Sequence, residues 1–153
     1  LYSLEGRYLR SALRAKKAWE KKALCRKFFR TREKRRQLLP EKMVEFEKRY
    51  EWLEGLAKYV EMQVYRVAAD HSEDLSFDYS EEMPHWQTDM NNMQDLGGVD
   101  GSTRFYLSGM AQARLLDQLS EEWKSQVMKP GIYLEDLLME KAGIQAMNLK
   151  TKH

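Results

Sequence analysis

The chain has 153 residues, a formal net charge of +2, and four Trp, eight Tyr and five Phe. Its length suits one domain, and its aromatic content excludes a wholly disordered chain. No apolar run approaches the roughly 20 residues that a membrane-spanning helix needs. Cys25 is the only cysteine, which excludes an internal disulfide and a cysteine-based zinc knuckle.

Charge is unevenly distributed along the chain. Residues 1–39 carry 14 Lys and Arg against three acids, whereas residues 40–153 carry 12 against 21. Such an asymmetry indicates either a basic arm for nucleic acid or membrane, or attraction between the two halves. We favour the second interpretation, because the acidic remainder would repel nucleic acid, and nucleic acid is therefore not an expected partner.

Residues 1–39 contain strong helix formers and no proline, and Pro40 follows them. Apolar residues step by three and four along this segment, at Leu4, Tyr8, Ala12, Ala15 and Trp19. An uninterrupted helix here would be about 57 Å long, far beyond the roughly 15 Å radius of gyration of a compact domain. We therefore expect it to kink, to protrude, or to lie against further protein.

A second helix is predicted from about Pro40 to Ala69. Its apolar residues give the most regular spacing in the chain: Met43, Phe46, Tyr50, Leu53, Ala57, Val60, Val64 and Val67. We expect this stripe to face the core, and the short link at Pro40 favours an antiparallel hairpin with the first helix.

The remaining segments complete an all-α prediction. Residues 71–101 are rich in Asp, Ser, Asn and Gly, and are predicted to form an irregular acidic loop. A third helix is expected over residues 102–127 and a short fourth helix over residues 133–141. We thus predict one helical domain over residues 1–153, built on a hairpin of two long helices.

Four acidic residues flank the apolar stripe of the second helix: Glu47, Glu51, Glu54 and Glu61. One interpretation is a solvated acidic face that pairs with the basic first helix; the other is a metal-binding or acid–base carboxylate. The histidines His71, His85 and His153 share no metal-binding spacing, and the chain holds no HExxH, P-loop or GxSxG motif. A surface role is favoured for His85, with ligand or substrate contact as the alternative.

Three stretches together resemble one family. The helix around Glu5 and residues 8–13 is similar to an "E…LRxAL" pattern, and residues 51–61 look like an "EGLAxYxE" helix. Residues 105–138 are similar to a "YxxGxAxxxLLD…W…LxxLL" tail. Together they resemble the C-terminal helical part of zinc metallopeptidase-like proteins whose active helix carries HExxH.

The resemblance implies a zinc-dependent peptidase in which Glu54 is the third metal ligand. The two histidine ligands and the general-base glutamate would then lie before Leu1, so the chain would be a portion of a longer protein. Alone it should be inactive and hold no Zn²⁺ tightly, because a catalytic zinc needs three protein ligands. Peptide or protein would be the substrate, with Tyr59 and His85 as weaker candidates for binding it.

Two functions therefore stay open from the sequence. One is the C-terminal portion of a zinc metallopeptidase, which supplies a ligand and a cleft wall and packs on a missing N-terminal segment. The alternative is a non-catalytic helical protein-interaction domain. The resemblance is compatible with an exported bacterial protein, but the compartment is not predicted.

Overall fold

The computed structural model describes residues 1–70 and 83–144, except for the side chains of residue 69 and residues 83–87. This part is helical and contains no strand, so the predicted all-α class is confirmed. Its helices are α1 (Tyr2–Arg14), α2 (Ala18–Arg36), α3 (Glu41–Asp70), α4 (Met83–Asn92), α5 (Thr103–Leu119), α6 (Trp123–Val127) and α7 (Leu134–Lys141). None of them is long and apolar enough to cross a membrane.

The predicted first helix is two helices, so a single helix over residues 1–39 is wrong. The chain becomes extended at Ala15 and again at Lys17. The buried Lys21 of α2 donates hydrogen bonds to the carbonyls of Ala12 and Ala15, at 2.9 and 2.8 Å. These bonds satisfy carbonyls that the end of α1 leaves without helical partners, and they stabilise the break. The hairpin is therefore formed by α1 and α2, which pack side by side.

The helix α3 packs most extensively on α5, where two glycines meet. A Cβ atom on Gly55 would lie 2.4 Å from the Cα of Gly109, and one on Gly109 would lie 2.3 Å from the carbonyl oxygen of Glu51. Only glycine fits at both positions, because the two backbones are in direct contact.

The predicted acidic loop is partly helical. Residues 71–82 lie outside the described part of the chain, but α4 and a 3-10 turn at Met93–Asp95 follow them. Met90, Met93 and Leu96 are buried in the core. An irregular loop through residue 101 is therefore wrong, because these three apolar side chains hold the segment against the other helices.

The helix α5 is buried on nearly all sides, by α3, α7 and α1. The predicted third helix ends at Leu119 and not at Val127; Ser120 is extended, and the five-residue α6 follows. The indole of Trp52 donates a hydrogen bond of 2.9 Å to the carbonyl of Val127, which ties α6 to α3. The predicted short last helix is confirmed as α7, which buries Leu134, Leu137 and Leu138.

Candidate site on helix α3

The inner face of α3 carries two buried glutamates in its first half. Glu47 and Glu51 are each only 1% exposed and lie beside the arginines of α2. The sequence interpretation in which the acidic residues pair with the basic first segment therefore holds for these two glutamates, but they are buried and not solvated.

Arg32 lies at the centre of this buried cluster. Its guanidinium forms a bidentate pair with Glu51, at 2.6 and 2.7 Å, and reaches Glu5 at 3.0 Å. It also contacts Glu135 of α7 at 3.1 Å. Burial opposes its charge, but Glu51 and Glu5 more than compensate and raise the pKa of Arg32 well above its ordinary value. One side chain thus connects α1, α2, α3 and α7.

Arg35 and Arg36 extend the same cluster. Arg35 pairs with Glu5 and Glu47, each at 2.6 Å, and Arg36 pairs with Glu47 and Glu135 at 3.1 and 2.8 Å. Burial would raise the pKa of Glu135, but the neighbouring Arg36 and Arg32 lower it to about 2. These charges are paired within the protein, so the cluster is a structural element.

Glu51 has two further hydrogen-bond partners on α5. The Ser108 hydroxyl and the Gln112 amide both donate to it, the latter at 2.9 Å. With the bidentate Arg32, these donors occupy both carboxylate oxygens. Glu51 is therefore unavailable to an external ligand, and Glu47 is equally occupied by Arg35, Arg36 and the Tyr2 hydroxyl.

The outer face of α3 is apolar, so the expectation that this stripe faces the core is wrong. Leu53 is 56% exposed and Val60 is 55% exposed. The other exposed members of the stripe are Met43, Phe46, Ala57, Val64 and Val67, and Tyr50 is half-buried. The helix is turned this way because its opposite side carries Gly55 against α5 and the two carboxylates that balance the buried arginines.

An open groove adjoins the first half of this outer face. It has a volume of about 970 Å³ and lies between α3 and the segment that joins α6 to α7. Phe46, Tyr50 and Leu53 line it from α3, and Met128 and Ile132 line the opposite side. Contiguous exposed apolar surface of this kind marks an interaction or ligand-binding site more often than a random surface.

Glu54 lies at the border between the two faces, about a quarter turn from the middle of the apolar stripe. It is half-buried and is not part of the arginine cluster. Tyr106 lies beside Glu54, and its interaction with this carboxylate raises the pKa of the Tyr106 hydroxyl. Tyr50 packs against Tyr106 with ring centroids 6.1 Å apart.

The other predicted site residues lie elsewhere. Tyr59 is 5% exposed, on the inner face of α3, and its hydroxyl donates to Asp117 at 2.8 Å. Glu61 is on the outer side, where it pairs with Lys58 at 3.2 Å. The backbone of His85 belongs to α4, but its side chain lies outside the described residues. The structure therefore does not bring Tyr59 and Glu54 together.

No group of three or more His, Cys, Asp or Glu side chains that could hold a metal occurs in the part of the chain that the structure describes. Comparison with protein-family models, with curated proteins and with solved structures found no match for this chain.

The buried arginine cluster is the feature that sequence reasoning missed. Arg32, Arg35 and Arg36 are three and one residues apart, so they lie close together on α2. The matching signal was the pair Glu47 and Glu51, four residues apart on one side of α3. The complementary spacing of these charges indicated a contact, but only the fold shows that it is buried.

Proposed function

We propose that this chain is the C-terminal portion of a zinc-dependent metallopeptidase. In this proposal Glu54 supplies the third metal ligand, and the outer face of α3 forms one wall of the cleft. The observation that carries it is the position of Glu54. Of the four glutamates that flank the stripe, Glu54 is the one that forms no salt bridge with an arginine or lysine among the residues that the structure describes. It also borders exposed apolar surface.

The surroundings of Glu54 suit a metal ligand. The Gly55–Gly109 contact fixes the backbone immediately beside it, so its carboxylate projects from a rigid crossing of two helices. The Tyr106 hydroxyl lies beside Glu54, where it could serve as an outer-shell partner that orients a metal-bound carboxylate. A bound zinc would lower the pKa of a water molecule and polarise a peptide carbonyl.

One carboxylate does not hold Zn²⁺, because a catalytic site needs three protein ligands. The proposal therefore requires two histidines from a segment outside this chain, packed on the outer face of α3. That face offers apolar side chains over more than six helical turns, from Met43 to Val67, against which a helix would pack.

The first test is to read the coding sequence that precedes Leu1 for an HExxH motif. If it is present, the longer protein should contain about one zinc per chain, and Glu54→Gln should lose both zinc and peptidase activity. Glu61→Gln is the matched control, since Glu61 is one heptad away and pairs with Lys58. Full zinc content in Glu54→Gln would refute the ligand assignment.

A non-catalytic interaction domain is the second candidate, and the outer face of α3 favours it. Its residues from Met43 to Val67 repeat at spacings of three and four, which is the pattern of a coiled-coil seam. If no HExxH is encoded upstream, a partner helix would be the expected occupant of this face. Replacing Leu53 and Val60 by Glu would then abolish partner binding without unfolding the protein, because both side chains are exposed.

A further inference from the structure

The outer face of α2 is basic and its charges are unpaired. Seven lysines and arginines in and just before this helix form no salt bridge among the residues that the structure describes: Lys16, Lys17, Lys22, Arg26, Lys27, Arg30 and Lys34. They contrast with Arg32, Arg35 and Arg36, whose partners are buried glutamates. Among the described residues these cations therefore outnumber the two acids of α2, Glu20 and Glu33, and the outer face carries a net positive charge that can attract an anionic partner.

Helical spacing places these charges on one side. Trp19, Arg26 and Arg30 are separated by seven and four residues, so they lie along one line of the helix surface. Cys25 and Phe28, which are fully buried, lie on the opposite side. The basic face extends from residue 19 to residue 34, about 22 Å at 1.5 Å per residue.

Trp19 is the exposed aromatic residue of this face. Its side chain is 66% exposed, whereas Phe28 and Phe29 are buried in the core. It lies in the first turn of α2, beside the break that separates α1 from α2, and its charged neighbours are Arg14, Lys16, Lys17 and Glu20. The indole therefore projects at the tip of the α1–α2 hairpin, where cations outnumber acids.

We infer that the outer face of α2 binds the surface of an anionic lipid bilayer. Trp19 would enter the headgroup region, where indole rings are enriched, and the lysines and arginines would contact lipid phosphates. Clusters of four to eight basic residues on one helix are typical of binding to anionic lipids. The inference concerns α2 and does not depend on the zinc proposal, which concerns α3.

The shape of this surface favours a bilayer over a nucleic acid. Proteins that bind single strands use a basic groove with successive aromatic platforms. On this face a single aromatic side chain is exposed, at one end, and the cations lie on a convex helix surface. The surplus of acids in residues 40–153 would repel either anionic partner, so contact is expected at the basic face alone.

Vesicle binding tests the inference. The protein should co-sediment with vesicles of phosphatidylcholine and phosphatidylglycerol, but not with phosphatidylcholine alone, and high salt should release it. Each basic residue contributes roughly fivefold to such binding, so Arg26→Glu with Arg30→Glu should weaken it by about 25-fold or more. Arg66→Glu with Lys129→Glu is the matched control, since it changes the net charge equally at exposed positions outside α2.

The insertion of the Trp19 indole into the bilayer is tested by fluorescence quenching. Brominated lipid should quench the tryptophan fluorescence of the bound protein, and Trp19→Ala should abolish most of that quenching while circular dichroism is unchanged. Equal vesicle binding by the double α2 variant and its control would overturn the inference. So would binding of a single-stranded oligonucleotide at a salt concentration where anionic vesicles are no longer bound.

Discussion

Glu51 and Glu54 give the sharpest test of the two-faced helix, because they are three residues apart and chemically identical. Glu51→Gln removes the charge that faces Arg32 across 2.6 and 2.7 Å in a buried site. The buried cluster contains three arginines and the half-buried Lys48 against Glu5, Glu47, Glu51 and Glu135. The substitution leaves one positive charge without a counter-charge.

Removing one partner of a buried ion pair costs about 3–5 kcal/mol. For a chain of this length that corresponds to a fall in the unfolding temperature of roughly 6–20 °C. Glu54→Gln should cost only about 0–1 kcal/mol, as expected for a partly exposed carboxylate. Urea unfolding followed by circular dichroism measures both variants, and equal stability of the two would refute the assignment of inner and outer faces.

Two further predictions concern the fold. Gly109→Ala places a Cβ atom 2.3 Å from the carbonyl oxygen of Glu51; the helices α3 and α5 must separate, and urea unfolding should show a loss of at least about 1–3 kcal/mol. The lowered pKa of Glu135, about 2, stabilises the folded state above the ordinary carboxyl pKa, and this contribution is lost as the pH falls through 2. Stability should therefore decline from about pH 4.5 downward, and Glu135→Gln should flatten that decline; an unchanged slope would contradict the assignment.

The all-α class followed from the sequence because helix propensity and periodicity agree along the chain. The orientation of α3 did not. Its apolar stripe is the most regular in the protein, yet Leu53 and Val60 face outward. Periodicity identifies the two faces of a helix but not which one is buried. Here the contact of Gly55 with α5 and the pairing of Glu51 with Arg32 determine the buried face.

The sequence did not predict those helix boundaries that depend on a single tertiary contact. The break between α1 and α2 depends on Lys21, which from sequence is one lysine among many, but in the fold donates to two carbonyls of α1. The turn at Met93 is likewise held by side chains that enter the core from a polar segment. The resemblance alone singled out Glu54 as a site residue. Only the fold shows that its carboxylate lies outside the arginine cluster and is open to a ligand.

The orientation of α3 underlies both proposed functions, and cysteine accessibility measures it directly. The native Cys25 is fully buried, and burial raises its pKa to about 11, so it should react with a thiol reagent only on unfolding. Two cysteine variants of α3 are compared. The thiol of Val60→Cys is exposed and should react within seconds to minutes, whereas that of Met62→Cys should be protected like Cys25. Rapid reaction of Met62→Cys with protection of Val60→Cys would show that the apolar stripe faces the core, and would contradict the account.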